Sequence, residues 1–226
     1  MIRQLAFDLP SRPAMGRDSF FISPANALAL AALDGWQGWP GGRMLLTGPA
    51  GAGKTHLAHV WVAETGAVIA AATGLKQADL PGFADHGPVV VENADRLADQ
   101  GDEIALLHLH NLLAAQGAAL LLTSTLPVRD WGLTLPDLAS RLQAVAVTRL
   151  NPPDDVLLSA VLAKLFRDRQ IAVAPTLIPY LLARMDRSFA AARDLVAALD
   201  ALALAEGRPV TRALAAALLD RHHPHL

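Results

Sequence analysis

Residues 48 to 55 read Gly-Pro-Ala-Gly-Ala-Gly-Lys-Thr, which fits G-x-x-x-x-G-K-T, and each place in that pattern answers to the chemistry of a polyphosphate. Gly48, Gly51 and Gly53 let the backbone turn tightly, so that successive N–H groups converge on phosphate oxygens, with Pro49, Ala50 and Ala52 completing the loop. Lys54 is expected to reach the β- and γ-phosphates, and the Thr55 hydroxyl to ligate Mg2+. A second acidic point belongs with such a loop. In Val89-Val90-Val91-Glu92-Asn93-Ala94-Asp95 an apolar run ends in Glu92, the best candidate to organise Mg2+ from a neighbouring strand tip. Asn93 follows, at the usual place of the residue that activates the attacking water, and an amide cannot accept a proton as a carboxylate does. Hydrolysis at this chain's own site is therefore expected to be slow.

Positioning such a loop takes a strand before it and a helix after it. Met44 to Thr47 reads as a buried strand, and Thr55 to Thr65 as a helix stopped by Gly66. Further strands are expected at 67–71, 89–92, 118–123 and 144–148, with helices at 104–115 and 136–142 between some of them. Ser23 followed by Pro24 predicts a helix start, with Gly35 as its stop. The stretch 72–88 is broken by Gly and Pro, and no element is assigned to it. Strands alternating with helices imply an α/β fold, a parallel sheet sandwiched by helices. After Asn151-Pro152-Pro153 only helical patterns follow, at 154–168, 175–185, 188–206 and 211–221. Three regions are thus expected: a flexible arm over 1–16, a nucleotide-binding core over 17–150 and a small all-helical lid over 151–226.

The bulk composition narrows the class. The chain has 226 residues, 53% of them hydrophobic, which is enough for a sizeable core, with no apolar run of the roughly 18 residues that would span a bilayer. A net charge of −2 argues against a mainly electrostatic grip on nucleic acid. The lack of cysteine, and a first segment interrupted by Asp8, Pro10 and Arg12, point to a cytoplasmic protein with no membrane role. His56 and His59 share a helix face without an acidic or cysteine partner and read as packing or surface residues, and His222, His223 and His225 read as a solvated tail. The tryptophans Trp36, Trp39, Trp61 and Trp131 read as core.

With these motifs placed, the chain resembles the bacterial DnaA/Hda family of AAA+ ATPases over most of its length, and most of all its short, Hda-type regulatory members. Gly-Lys-Thr-His-Leu at 53–57 with Ala58-His59 is similar to the family's loop and helix. Arg17 to Ile22, with Asn26, is similar to the lead-in segment that lies near the adenine, which makes Ile22 a nucleotide contact. Leu122-Thr123-Ser124 resembles the sensor I strand. Ser140-Arg141-Leu142, leading to Leu150-Asn151-Pro152-Pro153, resembles the arginine-finger segment. Ala192-Arg193-Asp194-Leu195 resembles the sensor II helix, whose arginine reaches the nucleotide from the lid.

The resemblance implies ADP or ATP with Mg2+ as ligands, and Arg141 as an arginine acting in trans on a partner's ATP. Asp137, four residues earlier, offers a competing role for Arg141 as a helix-surface ion pair. Two positions depart from the family pattern. Glu92-Asn93 replaces paired aspartates, and Thr125 stands where aspartate is common. The sequence given stops at Leu226, where the initiator would continue into a helix-turn-helix, so direct sequence-specific DNA binding is not expected.

Gln4-Leu5-Ala6-Phe7-Asp8-Leu9 is similar to the peptide by which bacterial replication proteins bind the DNA polymerase III β sliding clamp, with Gln4, Leu5, Phe7 and Leu9 as anchors. The implied function is a bacterial negative regulator of replication initiation that uses the DNA-loaded clamp and stimulates ATP hydrolysis by DnaA, with homo-oligomerisation possible. A self-sufficient AAA+ ATPase that remodels or loads a replication protein, a P-loop small-molecule kinase, and a nucleotide-gated adaptor are the alternatives.

Overall fold

In the computed structural model, the described residues are 21–100 and 102–222. Five parallel strands, β1 (Arg43–Thr47), β2 (Val68–Ala71), β3 (Val89–Glu92), β4 (Leu120–Ser124) and β5 (Ala146–Arg149), form one sheet in the order β2-β3-β4-β1-β5. Met44 pairs with Leu121 on one side and Ala146 on the other, and Val90 with Leu121, so the three central strands share one register. Their sequences are continuous apolar runs because both faces are covered: Val89, Val90, Val91, Leu120 and Leu121 have no exposed surface.

Alternate side chains go to opposite faces. Leu45, Val89, Val91, Leu120 and Leu122 pack with Leu106, Leu109 and Leu113 of α5 (Glu103–Gln116) and with Leu138 and Leu142 of α6 (Pro136–Gln143). Met44, Leu46, Val90 and Leu121 pack on the other face with Leu30 and Leu33 of α1 (Ala27–Asp34) and with Leu57, Ala58 and Trp61 of α2 (Lys54–Thr65). Each fully buried Leu contributes about 1.5–3 kcal/mol, so the two layers hold the strand ends firmly in place. Three tryptophans that are separate in sequence meet beneath α2. Trp39 stacks on Trp61 with ring centroids 5.3 Å apart, and Trp36 meets Trp61 edge-on at 6.1 Å. Trp131 lies in the opposite core and donates its Nε1–H to the Leu126 carbonyl at 3.0 Å.

Two local readings change. The stretch 72–88 contains α3 (Leu80–His86), because the Asp79 carboxylate accepts from the Gly82 N–H at 3.2 Å and Pro81 sits in the first turn, where its missing N–H costs nothing. A further turn of helix, α4 (Leu97–Gln100), follows β3. At the other end, α1 starts after Asn26 rather than at Ser23, since Ser23 spends its carbonyl and hydroxyl on a turn closed by the Asn26, Ala27 and Ala25 N–H groups.

After Arg149 no strand occurs among the described residues. Helices α7 (Asp155–Asp168), α8 (Leu177–Leu182), α9 (Phe189–Glu206) and α10 (Arg212–His222) bury their own cluster around Leu162, Phe166, Leu181, Val196, Leu199 and Leu214. Asp154 caps α7 through the Leu157 N–H at 2.8 Å, and Ser188 caps α9 through the Ala191 N–H at 3.0 Å. No helix among the described residues is long and apolar enough to cross a membrane.

Candidate nucleotide site

The turn from β1 into α2 carries the glycine-rich segment. Gly48 and Ala52 are buried, Pro49 and Ala50 exposed, and Gly51 and Gly53 take φ of +74° and +100°, which a residue with a Cβ rarely adopts. The loop is tied to β4 by the Gly48 N–H, which donates to the Ser124 carbonyl at 3.2 Å. Directly beyond it begins the N-terminus of α2, whose unpaired N–H groups and positive dipole end favour an anion. Thr55 is exposed in that first turn.

Lys54 is 7% exposed, and its Nζ donates to the Gly48 carbonyl at 2.7 Å and the Pro49 carbonyl at 3.0 Å. Burial pushes its pKa down, and the Asp95 carboxylate partly offsets this. Asp95 is therefore close enough to act on the lysine, a relation that the strand order creates: β3, which delivers Asp95, reaches β1 only across β4. The tip of β3 is fixed in two ways. Asn93 takes a left-handed conformation, φ +54°, and donates its N–H to the Thr123 hydroxyl at 3.0 Å, while Oδ2 of Asp95 accepts from the Thr125 N–H at 2.9 Å and from the Thr125 hydroxyl.

Glu92 Oε1 is buried and has no hydrogen-bond partner in the protein. A buried bare carboxylate oxygen is costly unless something binds it. A carboxylate oxygen of this kind, like the hydroxyl of the exposed Thr55, is a hard donor of the type that Mg2+ takes. Among the described residues no group of three His, Cys, Asp or Glu side chains is placed to hold a metal ion. A Mg2+ here would thus depend on phosphate oxygens and water for its remaining ligands, as that ion commonly does.

The start of α9 lies directly on this loop. The Phe189 N–H donates to the Gly51 carbonyl at 3.1 Å; a Cβ on Gly51 would come within 2.6 Å of the Ser188 Cβ, and one on Gly53 within 2.8 Å of the Phe189 ring. Arg193, one turn further along the same helix face, is exposed and its charge reaches His56 in the first turn of α2. Burial pushes His56 down first, with His59, Arg193 and Lys164 adding to the effect. Ile22 is 65% exposed, and its segment is anchored by the Asn26 side chain, whose Nδ2 donates to the Phe21 carbonyl at 2.8 Å. The Asn151 N–H reaches the Ala25 carbonyl at 3.2 Å, and the Leu150 N–H the Thr47 carbonyl at 2.7 Å, so the lead-in segment is held beside the end of β1.

Arg141 lies elsewhere. It is partly exposed at the end of α6 with its Nε 3.0 Å from Asp137 Oδ1, so the ion pair that competes with its trans role is formed. Both side chains act on His110, whose carbonyl accepts from the Arg43 Nη2 at 3.0 Å. His110 is pushed down by burial first, then by Arg43 and Arg141, against the Asn111 hydrogen bond and Asp137. Arg43 opens β1 and the phosphate loop leaves its other end. A five-residue strand spans about 15 Å, so Arg141 sits at the opposite sheet edge from its own loop.

The structure thus brings Gly48 to Thr55, Glu92 and Arg193 to one end of the sheet and leaves Arg141 at the other. Gln4, Leu5, Phe7 and Leu9 lie outside the described residues. Sequence reading missed Asp95, Ser188 and Phe189 as members of the site. For Asp95 a signal existed, a second acid three places after Glu92 in the same strand tip. For Ser188 and Phe189 there was only the N-cap pattern, which does not say what a helix start will face.

No protein-family model matches the sequence. In structure the chain is similar to domain III of the replication initiation protein DnaA from Thermotoga maritima, with a TM-score of 0.76 at 20% identity over 95% of this chain and 98% of that one. It is also similar to AMPPCP-bound DnaA from Aquifex aeolicus, with a TM-score of 0.68 at 15% identity over 84% of this chain and 65% of that one. A DnaA bound to AMPPCP and single-stranded DNA gives 0.65 at 16% identity over 87% and 69%. At these identities the shared property is the fold, a five-stranded parallel sheet flanked by helices as in the AAA+ domain of DnaA.

Proposed function

We propose that this chain is an adenine-nucleotide-binding regulator of bacterial replication initiation that stimulates ATP hydrolysis by DnaA. The observation that carries this reading is the separation of Arg141 from its own phosphate loop across the length of the sheet. A guanidinium so placed is out of reach of this chain's own phosphates, so any nucleotide that it serves, on leaving Asp137, is held by another molecule. Such an arginine neutralises charge developing on the transferred phosphoryl group, worth about 10³–10⁵ in rate where an arginine finger has been measured. The fold shared with DnaA supplies a partner surface of matching architecture, and a second copy of this chain offers the same surface.

In this reading the core, 17–150, holds ADP or ATP between Gly48 to Thr55 and Ile22, and the lid, 151–226, reads its phosphates through Arg193. Thr55 and Glu92 hold Mg2+, which screens phosphate charge. Residues Gln4 to Leu9 bring the chain to the sliding clamp on DNA. Tethering raises effective concentration, so that a weak clamp contact and a weak AAA+ contact together suffice. The test mixes the protein with DNA-loaded clamp and ATP-bound DnaA and follows phosphate release. Arg141→Ala and Gln4→Ala each abolish the stimulation; normal stimulation by either variant removes the role assigned to that residue.

A further inference from the structure

We infer that Asp95 is the carboxylate that activates water at this chain's own nucleotide site, the role that the amide of Asn93 cannot fill. The inference rests on the nucleotide-site reading and deepens it. Three observations converge on Asp95. Asp95 lies beside the phosphate loop, because its partner Thr125 follows Ser124, whose carbonyl accepts from the loop's Gly48 N–H. Its Oδ2 is pinned by both the N–H and the hydroxyl of Thr125, immediately beyond the tip of β4, the strand that lies between β3 and β1. Both of those bonds fall on one oxygen, which leaves Oδ1 outside the pair. Asn93, by contrast, is exposed, turned into the left-handed region and held by its N–H to Thr123.

A water-activating group needs a fixed position and a basic oxygen near the terminal phosphate. Asp95 has the first from Thr125, and its Oδ1 is assigned the second. The step balances simply. A water oxygen forms a bond to the γ-phosphorus of ATP, the bond from that phosphorus to the β–γ bridging oxygen breaks, and the electron pair leaves with ADP. One water proton passes to the Asp95 carboxylate and is later released to solvent, giving ADP, inorganic phosphate and a regenerated Asp95. Nothing beyond ATP, water and a divalent cation is consumed or required. Glu92 stays with the cation, so the two acids of the β3 tip divide the work.

The variant that separates this role from a structural one is Asp95→Asn, because an amide oxygen still accepts from the Thr125 N–H and hydroxyl while losing its basicity. Single-turnover hydrolysis of γ-labelled ATP and the affinity for a fluorescent ADP analogue are measured on the same preparations. The expected result is a fall of about 100-fold or more in the hydrolysis rate, in line with the usual worth of a positioned base, with affinity changed less than threefold. Thr125→Val, which frees the carboxylate without removing it, gives an intermediate loss.

Hydrolysis by Asp95→Asn at the wild-type rate overturns the inference. So does a parallel fall in affinity and rate, which would make Asp95 a support for Lys54 alone, and so does a wild type that binds ATP without hydrolysing it. Failure of the wild type to bind the ADP analogue is a different result. It removes the nucleotide-site reading itself, and Asp95 with it.

Discussion

The two edges of the sheet are built for opposite tasks. Where the strands end lie the α2 N-terminus, Lys54 and the bare Glu92 oxygen, the groups proposed to take phosphates and a cation. Where the strands begin, two guanidiniums have partners within the protein, although the Arg43 Nε, like the Glu92 oxygen, is buried without one. Arg43 is buried, donating to the Gly42, Ala118 and His110 carbonyls, and Arg141 rests against Asp137 at the surface. One edge is arranged to receive an anion; the other carries a guanidinium that can be offered. On the proposed reading, such a molecule would join head to tail with a copy or a relative, each offering its arginine to the other's nucleotide. The difference also says which residues ought to be independent, and that independence can be tested.

The largest effect is expected from Arg141→Ala, which should lower stimulation of DnaA hydrolysis by about 10³ or more while leaving this chain's own nucleotide affinity unchanged. Phosphate release with clamp and DnaA, and titration of a fluorescent ADP analogue, measure the two. Weaker binding of this chain's own nucleotide would mean the edges are not independent. Lys54→Ala is the converse, with nucleotide affinity expected to fall about 100-fold. Burial already works against its charge, which offsets the loss of its two hydrogen bonds, so the unliganded fold should melt close to the wild type. A lower Tm without nucleotide would show that the lysine is part of the core and not held ready for phosphate.

How much of this was legible beforehand differs between the edges for a physical reason. The phosphate loop is a local motif in which every member lies within eight residues, and the strands are continuous apolar runs because both their faces are buried, so both could be read from sequence. Contacts made by strand order could not. Asp95 meets Thr125 only because β4 lies next to β3, and the Phe189 N–H meets Gly51 only because the helices after Arg149 fold back over the loop. Arg141 was singled out in the sequence, but its position at the end of the sheet away from the loop, paired with Asp137, emerged from the structure alone. Helix α3 was missed because Pro81 and Gly82 read as breakers, when in a first turn both are tolerated.

The lid contact gives a smaller and sharper test of the receiving edge. At Gly51, φ is +74° and a new Cβ would fall 2.6 Å from the Ser188 Cβ. Gly51→Ala is expected to cost about 1–3 kcal/mol from backbone strain, read as a fall in Tm, and to displace the α9 start as well. Adding Ser188→Gly relieves the collision but not the strain, so the double variant should recover part of the loss. Full recovery would mean that steric contact with the lid, and not the loop conformation, dominates.

The smallest effect expected concerns Glu103, which positions the arginine-bearing edge from a distance. This buried carboxylate accepts from the Thr134 N–H, the Leu135 N–H and the Thr134 hydroxyl at 2.8–3.0 Å, fixing the chain just before α6 and hence the helix that carries Arg141. Burial raises its pKa, but those three donors outweigh it and hold the net value below the ordinary 4.5. The unfolded chain then binds this proton more readily than the folded one. The stabilisation is therefore present above pH 4.5 and is lost as the pH falls through the lower folded value. Glu103→Gln, which keeps one acceptor oxygen, should cost about 0.5–1.5 kcal/mol near neutral pH and flatten this part of the acid limb of Tm against pH. It should also reduce the stimulation of DnaA, since α6 loses its anchor, while leaving nucleotide affinity alone. If the variant instead weakens nucleotide binding and spares stimulation, Glu103 belongs to the receiving edge, and the division between the two ends of the sheet is drawn in the wrong place.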